Sequence, residues 1–193
     1  MMSSSGLQSR VDLAGLQSRA GRGDARAAYI LGAYHGSGAK GQNGIVKDEA
    51  QAANYYRMGA EQGDAEAAYS MGICFHTGSG VEQDEDKAVQ CYQKAAGQGH
   101  LEAQKSLARR FAVSQPALAT RYCRLAAEQG DVDMMFQAAE AYDNGRGIAR
   151  DRDKAYHFYK LAQKNGHAGA DALVKASSHF EYKLSPPWGR TWE

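Results

Sequence analysis

Three prolines in 193 residues leave the chain almost free of obligatory backbone breaks. Runs of alternating β-branched residues are absent, so nothing reads as half-buried strand. An excess of charge of either sign is missing too. Lys and Arg number 23 against 22 Asp and Glu, a formal net charge of +1. That balance argues against a dedicated nucleic-acid binder, which carries a basic excess, although Arg109-Arg110 forms a small basic cluster. No apolar run approaches the length of a membrane-spanning helix. The opening stretch "MMSSSGLQSR" has no apolar core of a signal peptide. A cytoplasmic protein is expected, or a secreted one whose signal has been removed. The three cysteines, Cys74, Cys91 and Cys123, are odd in number and unequally spaced. They match neither a disulfide framework nor a zinc site, and buried reduced thiols are expected.

Alanine is abundant instead, with 34 copies. It is the best helix former, and its small side chain lets helices approach closely. An all-α protein follows.

The hexapeptide "AAEQGD" at Ala126–Asp131 has a near copy, "GAEQGD", at Gly59–Asp64. Between and after them stand "GQGH" at 97–100 and "KNGH" at 164–167. The glycines fall at Gly23, Gly63, Gly99, Gly130 and Gly166, with spacings of 40, 36, 31 and 36. A period of this size marks a helical array. After each glycine comes a capping residue and a small-residue helix A: "DARAAYILG", "DAEAAYSMG", "HLEAQKSLA" and "DVDMMFQAA". A glycine loop follows and ends in Asp48, Asp84 or Asp151, each able to cap a helix B. Helix B carries Ala52, Ala88, Ala119 and Ala155 in register, then Tyr56, Tyr92, Cys123 and Tyr159 four residues on. The expected helices are 25–36, 49–62, 65–77, 85–98, 101–112, 116–129, 132–144 and 152–165. A lone helix B before Gly23 and a lone helix A after His167 complete the ends.

This pattern resembles the Sel-one-like repeat (SLR) family, a relative of the tetratricopeptide repeat. The carrying residues are Ala67, Met71-Gly72, Gly78, Gly80-Val81, Asp84, Ala88, Tyr92, Ala95-Ala96 and Gly99. Repeat four matches through Gly145, Gly147-Ile148, Asp151, Ala155, Phe158-Tyr159 and Gly166. Repeat three lacks the G-x-G loop and its aspartate and has Ala108 in the register of Gly32 and Gly72, so its turn must be tighter, with Pro116 early in helix B. The resemblance implies a right-handed α/α superhelical solenoid of about four units with half-unit caps. Residues 1–22 form an N-terminal segment and capping helix, and 23–176 the solenoid (about 23–62, 63–98, 99–129, 130–165 and a half-unit 166–176). Residues 177–193 form an aromatic tail.

No catalytic constellation stands out. His100 and His167 occupy the cap position that Asp holds elsewhere, and His35, His76, His157 and His179 lack a partner at metal-ligand spacing. "GSGAKGQNG" at 36–44 lacks the Lys-Ser/Thr of a phosphate loop. Ser37 to Lys40 forms S-x-x-K, seen in penicillin-recognising serine enzymes, but Ser37 reads as part of a glycine loop and no S-D-N or K-T-G follows. No catalytic residue, metal or cofactor is expected.

The off-core side of helix A is what remains. It presents Arg26 and Tyr29 in repeat one, and Glu66, Tyr69, Ile73 and His76 in repeat two. Lys105 and Arg109 follow in repeat three, Phe136 and Glu140 in repeat four. In the related tetratricopeptide architecture this side lines the concave groove. Aromatics interleaved with charges suit peptide recognition, although the same rings can pack between neighbouring A helices. Trp188 and Trp192 in the tail are expected to dock, on the last repeat or on a partner. The resemblance implies a non-catalytic adaptor or scaffold for a protein or peptide partner, with no nucleic acid and no membrane insertion. Bacterial members often belong to regulatory, secretion-linked or host-interaction systems. An immunity or chaperone-like protein sequestering a cognate effector is the alternative, and a β-lactamase-like hydrolase a second. Oligomeric state stays open.

Overall fold

The computed structural model describes residues 12–38 and 46–178. All regular structure among them is helical, in ten α-helices: α1 (Leu13–Gly21), α2 (Ala25–Ser37), α3 (Glu49–Glu61), α4 (Ala65–Thr77), α5 (Glu85–Gly97), α6 (Leu101–Phe111), α7 (Pro116–Glu128), α8 (Val132–Asn144), α9 (Arg152–Lys164) and α10 (Ala168–Ser178). The eight full-repeat helices begin where the sequence places them and end within one residue of the expected position. The fold is an all-α repeat solenoid. The chain divides into two compact bodies, Met1–Leu107 and Ala108–Glu193, with the division falling inside α6.

Short-range chemistry sets these ends. Asp24, Asp48, Asp64, Asp84, Asp131 and Asp151 each accept the backbone N–H three residues on, at 2.7 to 3.0 Å. This satisfies one of the donors that a helix start leaves orphaned. Gln115 makes no such bond, and Pro116 instead opens α7 with a preset φ and no N–H to satisfy. Each B helix closes on a glycine of positive φ, as at Gly63 (94°).

In the N-terminal body α2 packs on α3 and α4 on α5, and the pairs stack through α3 against α4 and α2 against α4. In the C-terminal body α7 packs on α8, α8 on α9 and α9 on α10. Alanine fills most of the interfaces, and Leu31, Met71 and Leu107 are the largest fully buried side chains. The bulky helix-B register is buried at Tyr92, Cys123 and Tyr159 and half-buried at Tyr56. Small residues on helix A make room for it. A β-carbon on Gly32 would stand 2.6 Å from the Tyr56 ring, and one on Gly72 would stand 2.6 Å from the Tyr92 ring.

The second glycine of the G-x-G loops in repeats two and four has a separate reason. A β-carbon on Gly80 would lie 2.0 Å from Glu49 O, and one on Gly147 2.3 Å from Ala117 N. These loops therefore sit directly on the start of the preceding helix B. Thr120, buried in α7, donates to Arg146 O at 3.0 Å and fixes the second of these contacts. In α6, the buried Gln104 donates to Ala96 O at 3.3 Å.

One expectation is corrected. Ser37 is the last residue of α2, and its hydroxyl donates to Ala33 O at 2.7 Å. The helix runs through Gly36 and stops at Gly38, whose left-handed backbone ends it. Lys40, Trp188 and Trp192 lie outside the described residues.

Candidate functional site

The off-core face of helix A is built the same way in each body, around one aromatic ring. In repeat one, Tyr29 sits 6.1 Å from Tyr56, centroid to centroid, and the Arg26 guanidinium lies 4.6 Å above its ring. Arg26 Nη1 also reaches Asp64 Oδ2, the next helix cap, at 3.7 Å. In repeat two, Tyr69 lies between Tyr92 at 5.5 Å and His100 at 4.5 Å, stacked on the latter. His100 uses both ring nitrogens. Nδ1 accepts the Ala103 N–H at 3.2 Å, and Nε2 lies 3.3 Å from Glu66 Oε2. The neutral ring with its proton on Nε2 satisfies both contacts.

The C-terminal body repeats the motif. Phe136 meets Tyr159 edge-on at 5.5 Å and stacks on His167 at 4.2 Å. His167 Nε2 lies 3.7 Å from Asp133 Oδ1. Its Nδ1 is buried without a partner, unlike that of His100. The cause is local: Ala170 N, the donor that would reach this nitrogen, bonds to His167 O instead at 3.1 Å. The expectation that His167 caps through its side chain is corrected to that extent.

In repeats one, two and four the second residue of helix A reaches the cap of the following helix A, whereas repeat three places Glu102 ahead of Asp131. Arg26 faces Asp64, Glu66 faces His100, and Asp133 faces His167. Sequence reasoning treated the histidines only as caps and missed their place on the aromatic stacks. The visible signal was that an acid is the second residue of helix A in both repeats followed by histidine.

The remaining residues flank these stacks. Ile73 is 40% exposed, one turn beyond Tyr69 on α4. His76 Nδ1 is 2.7 Å from Glu85 Oε1, and Lys105 Nζ donates to Glu102 Oε1 at 3.0 Å. Glu66, Tyr69, Ile73 and His76 thus form one stripe along α4. In the C-terminal body, Arg109 is exposed in the last turn of α6 and Glu140 is exposed on α8. Burial raises the thiols of Cys74 and Cys91, and pushes that of Cys123 up to about 11, so all three stay protonated at neutral pH. Among the described residues, no group of three His, Cys, Asp or Glu side chains is arranged to hold a metal ion. No helix among them is long and apolar enough to cross a membrane.

The Sel1 repeat model matches four times, over residues 25–64, 65–100, 111–131 and 132–167. The chain is a Sel1 repeat protein. Its repeat architecture is shared with a protective antigen of uropathogenic Escherichia coli displaying an SLR fold, at 32% identity and a TM-score of 0.72, over 88% of this chain. A Sel1 repeat protein from Oxalobacter formigenes has the same fold, at 24% identity and a TM-score of 0.72, over 86% of this chain. This chain spans 37% and 48% of those two chains. No curated protein sequence matches it. Sel1 repeat proteins are generally scaffolds for protein–protein interaction.

Proposed function

We propose that this Sel1 repeat protein is a non-catalytic adaptor that binds a protein or peptide partner on its helix-A faces. The observation that carries the reading is the stripe on α4. Tyr69 is held rigidly between Tyr92 and His100, and Ile73 stands exposed one turn further along. A ring whose rotamer is already fixed loses little entropy when a partner covers its edge. The carboxylates around it already have contacts within the chain, Glu66 with His100 and Glu85 with His76. The stripe therefore suits a partner segment that offers an apolar side chain flanked by polar groups, rather than one of strong net charge. Family membership supports the scaffold role.

Cross-linking of the chain to its partner in native-cell lysate, followed by mass spectrometry, tests this. Cross-links concentrated on helix A, and lost in Ile73→Glu, are expected. Cross-links confined to the B helices would overturn the reading.

A further inference from the structure

Among the described residues, no helix A is seated on the helix B α1 and no helix B on the helix A α10. Aligning Gly23 with Gly63 puts Asp12, Leu16 and Arg19 in the registers of Ala52, Tyr56 and Gly59 of α3. Those α3 residues are the ones that meet α2. A β-carbon on Gly32 would lie 3.2 Å from Ala52 O as well as against Tyr56, and one on Gly59 would lie 3.0 Å from Ala25 O. On α1, Asp12, Leu16 and Arg19 instead line an open groove of about 380 Å³, whose other wall is Ile30 and Tyr34 of α2. On α3 the corresponding side carries α2, a helix A.

Aligning His167 with Asp24 puts Asp171 and Lys175 of α10 in the registers of Ala28 and Gly32, both buried in α2. Internal pairs use uncharged residues at these registers, mostly alanine and glycine, where the two half-units use charges. The charges are complementary. Helices A and B of one repeat run antiparallel, with Gly32 beside Ala52 and Ala25 beside Gly59. An α10 seated on α1 in this register brings Lys175 to Asp12 and Asp171 towards Arg19, with Leu16 between them.

We infer that a second copy of the chain fills the groove: α10 of one copy seats on α1 and α2 of the next and completes a repeat. The contact uses different surfaces on the two copies, so it propagates head to tail instead of closing as a symmetric pair. Each charge also has a contact within its own copy. Asp12 Oδ1 accepts Gly15 N at 2.9 Å, and Arg19 Nη2 lies 2.7 Å from Asp24. Asp171 accepts Gln163 Nε2 at 2.8 Å and Lys175 Nζ at 2.6 Å. A carboxylate has about four acceptor sites, so the new pairs extend these contacts without breaking them.

Sedimentation velocity over a concentration series tests the inference, with far-UV circular dichroism confirming that each variant is folded. The wild-type mass should rise with concentration past that of a dimer. Lys175→Glu should weaken association by roughly tenfold or more, because it sets like charges together. Asp12→Asn keeps a capping side chain and should weaken association less. An equimolar mixture of Asp12→Lys and Lys175→Glu chains should associate where neither does alone. Growth that stops at a dimer, or association indifferent to both reversals, would overturn the inference. So would a wild type that stays monomeric while a chain ending at Ser178 associates, since residues 179–193 would then be what covers α10.

Discussion

The Tyr92 ring fills the space that a side chain at position 72 would need: a β-carbon on Gly72 would stand 2.6 Å from Cε1 and 2.7 Å from Cδ1. Gly72→Ala gains about 1 kcal/mol in helix propensity. Displacing a packed ring costs about 1–3 kcal/mol. A net loss of stability in urea unfolding is therefore expected. Tyr92→Ala, which empties a site only 8% exposed, should cost about 3–5 kcal/mol. The double variant should cost less than the sum, because the alanine at 72 then has room. A stabilised Gly72→Ala protein would contradict this packing.

Gly80→Ala should be worse than Gly72→Ala. Gly80 has φ of 71°, and its added β-carbon would meet backbone, Glu49 O at 2.0 Å, which cannot rotate away. Amide hydrogen exchange should quicken first at the start of α3, where the loop is forced off. Unchanged protection there would mean that the loop does not sit on α3.

His100→Ala removes a cap and should cost about 0.5–2 kcal/mol, whereas His100→Asn should keep most of that stability. Nitrogen NMR of the His100 ring should find the proton on Nε2, since Nδ1 accepts from Ala103. A proton on Nδ1 at neutral pH would rule out the cap.

Alkali should unfold the protein through its tyrosines. Burial pushes Tyr56 and Tyr159 from the ordinary 10.0 up to about 12, because the phenolate loses water there. In the unfolded chain they ionise near 10. Their contribution is therefore fully present below pH 10 and is lost as pH rises towards 12. Thermal melts should show the melting temperature falling across that window, and the fall should be shallower in the Tyr56→Phe, Tyr159→Phe double variant. Equal slopes would exclude these two rings as the cause.

The helices were legible because their ends are local events. An aspartate that bonds a donor three residues on, and a glycine of positive φ, mark a boundary without reference to the rest of the fold. Hence 65–77 and 132–144 were read to the residue. The stack of Tyr69 on His100 was not legible, because it depends on how two helices 31 residues apart are rotated. Ser37 was misplaced for a related reason: a glycine-rich string looks like loop, yet Gly36 is held within α2 and only Gly38 ends it. The seat on α1 is invisible in the sequence until the registers of α3 are known to face α2.

The pairing of helix A with the following cap in repeats one, two and four bears on how such an array grows. Tandem duplication copies a repeat whole, together with the residue that answers its neighbour. A copy that begins at Asp64, inserted behind Glu66, would set two carboxylates face to face. A copy beginning at His100, inserted behind Arg26, would lose the acid that its Nε2 now meets. These three junctions are therefore matched to their neighbours, whereas the junction after repeat three places the acid Glu102 ahead of the acid Asp131. At those three junctions the order of neighbours is written in the pairs Arg26–Asp64, Glu66–His100 and Asp133–His167.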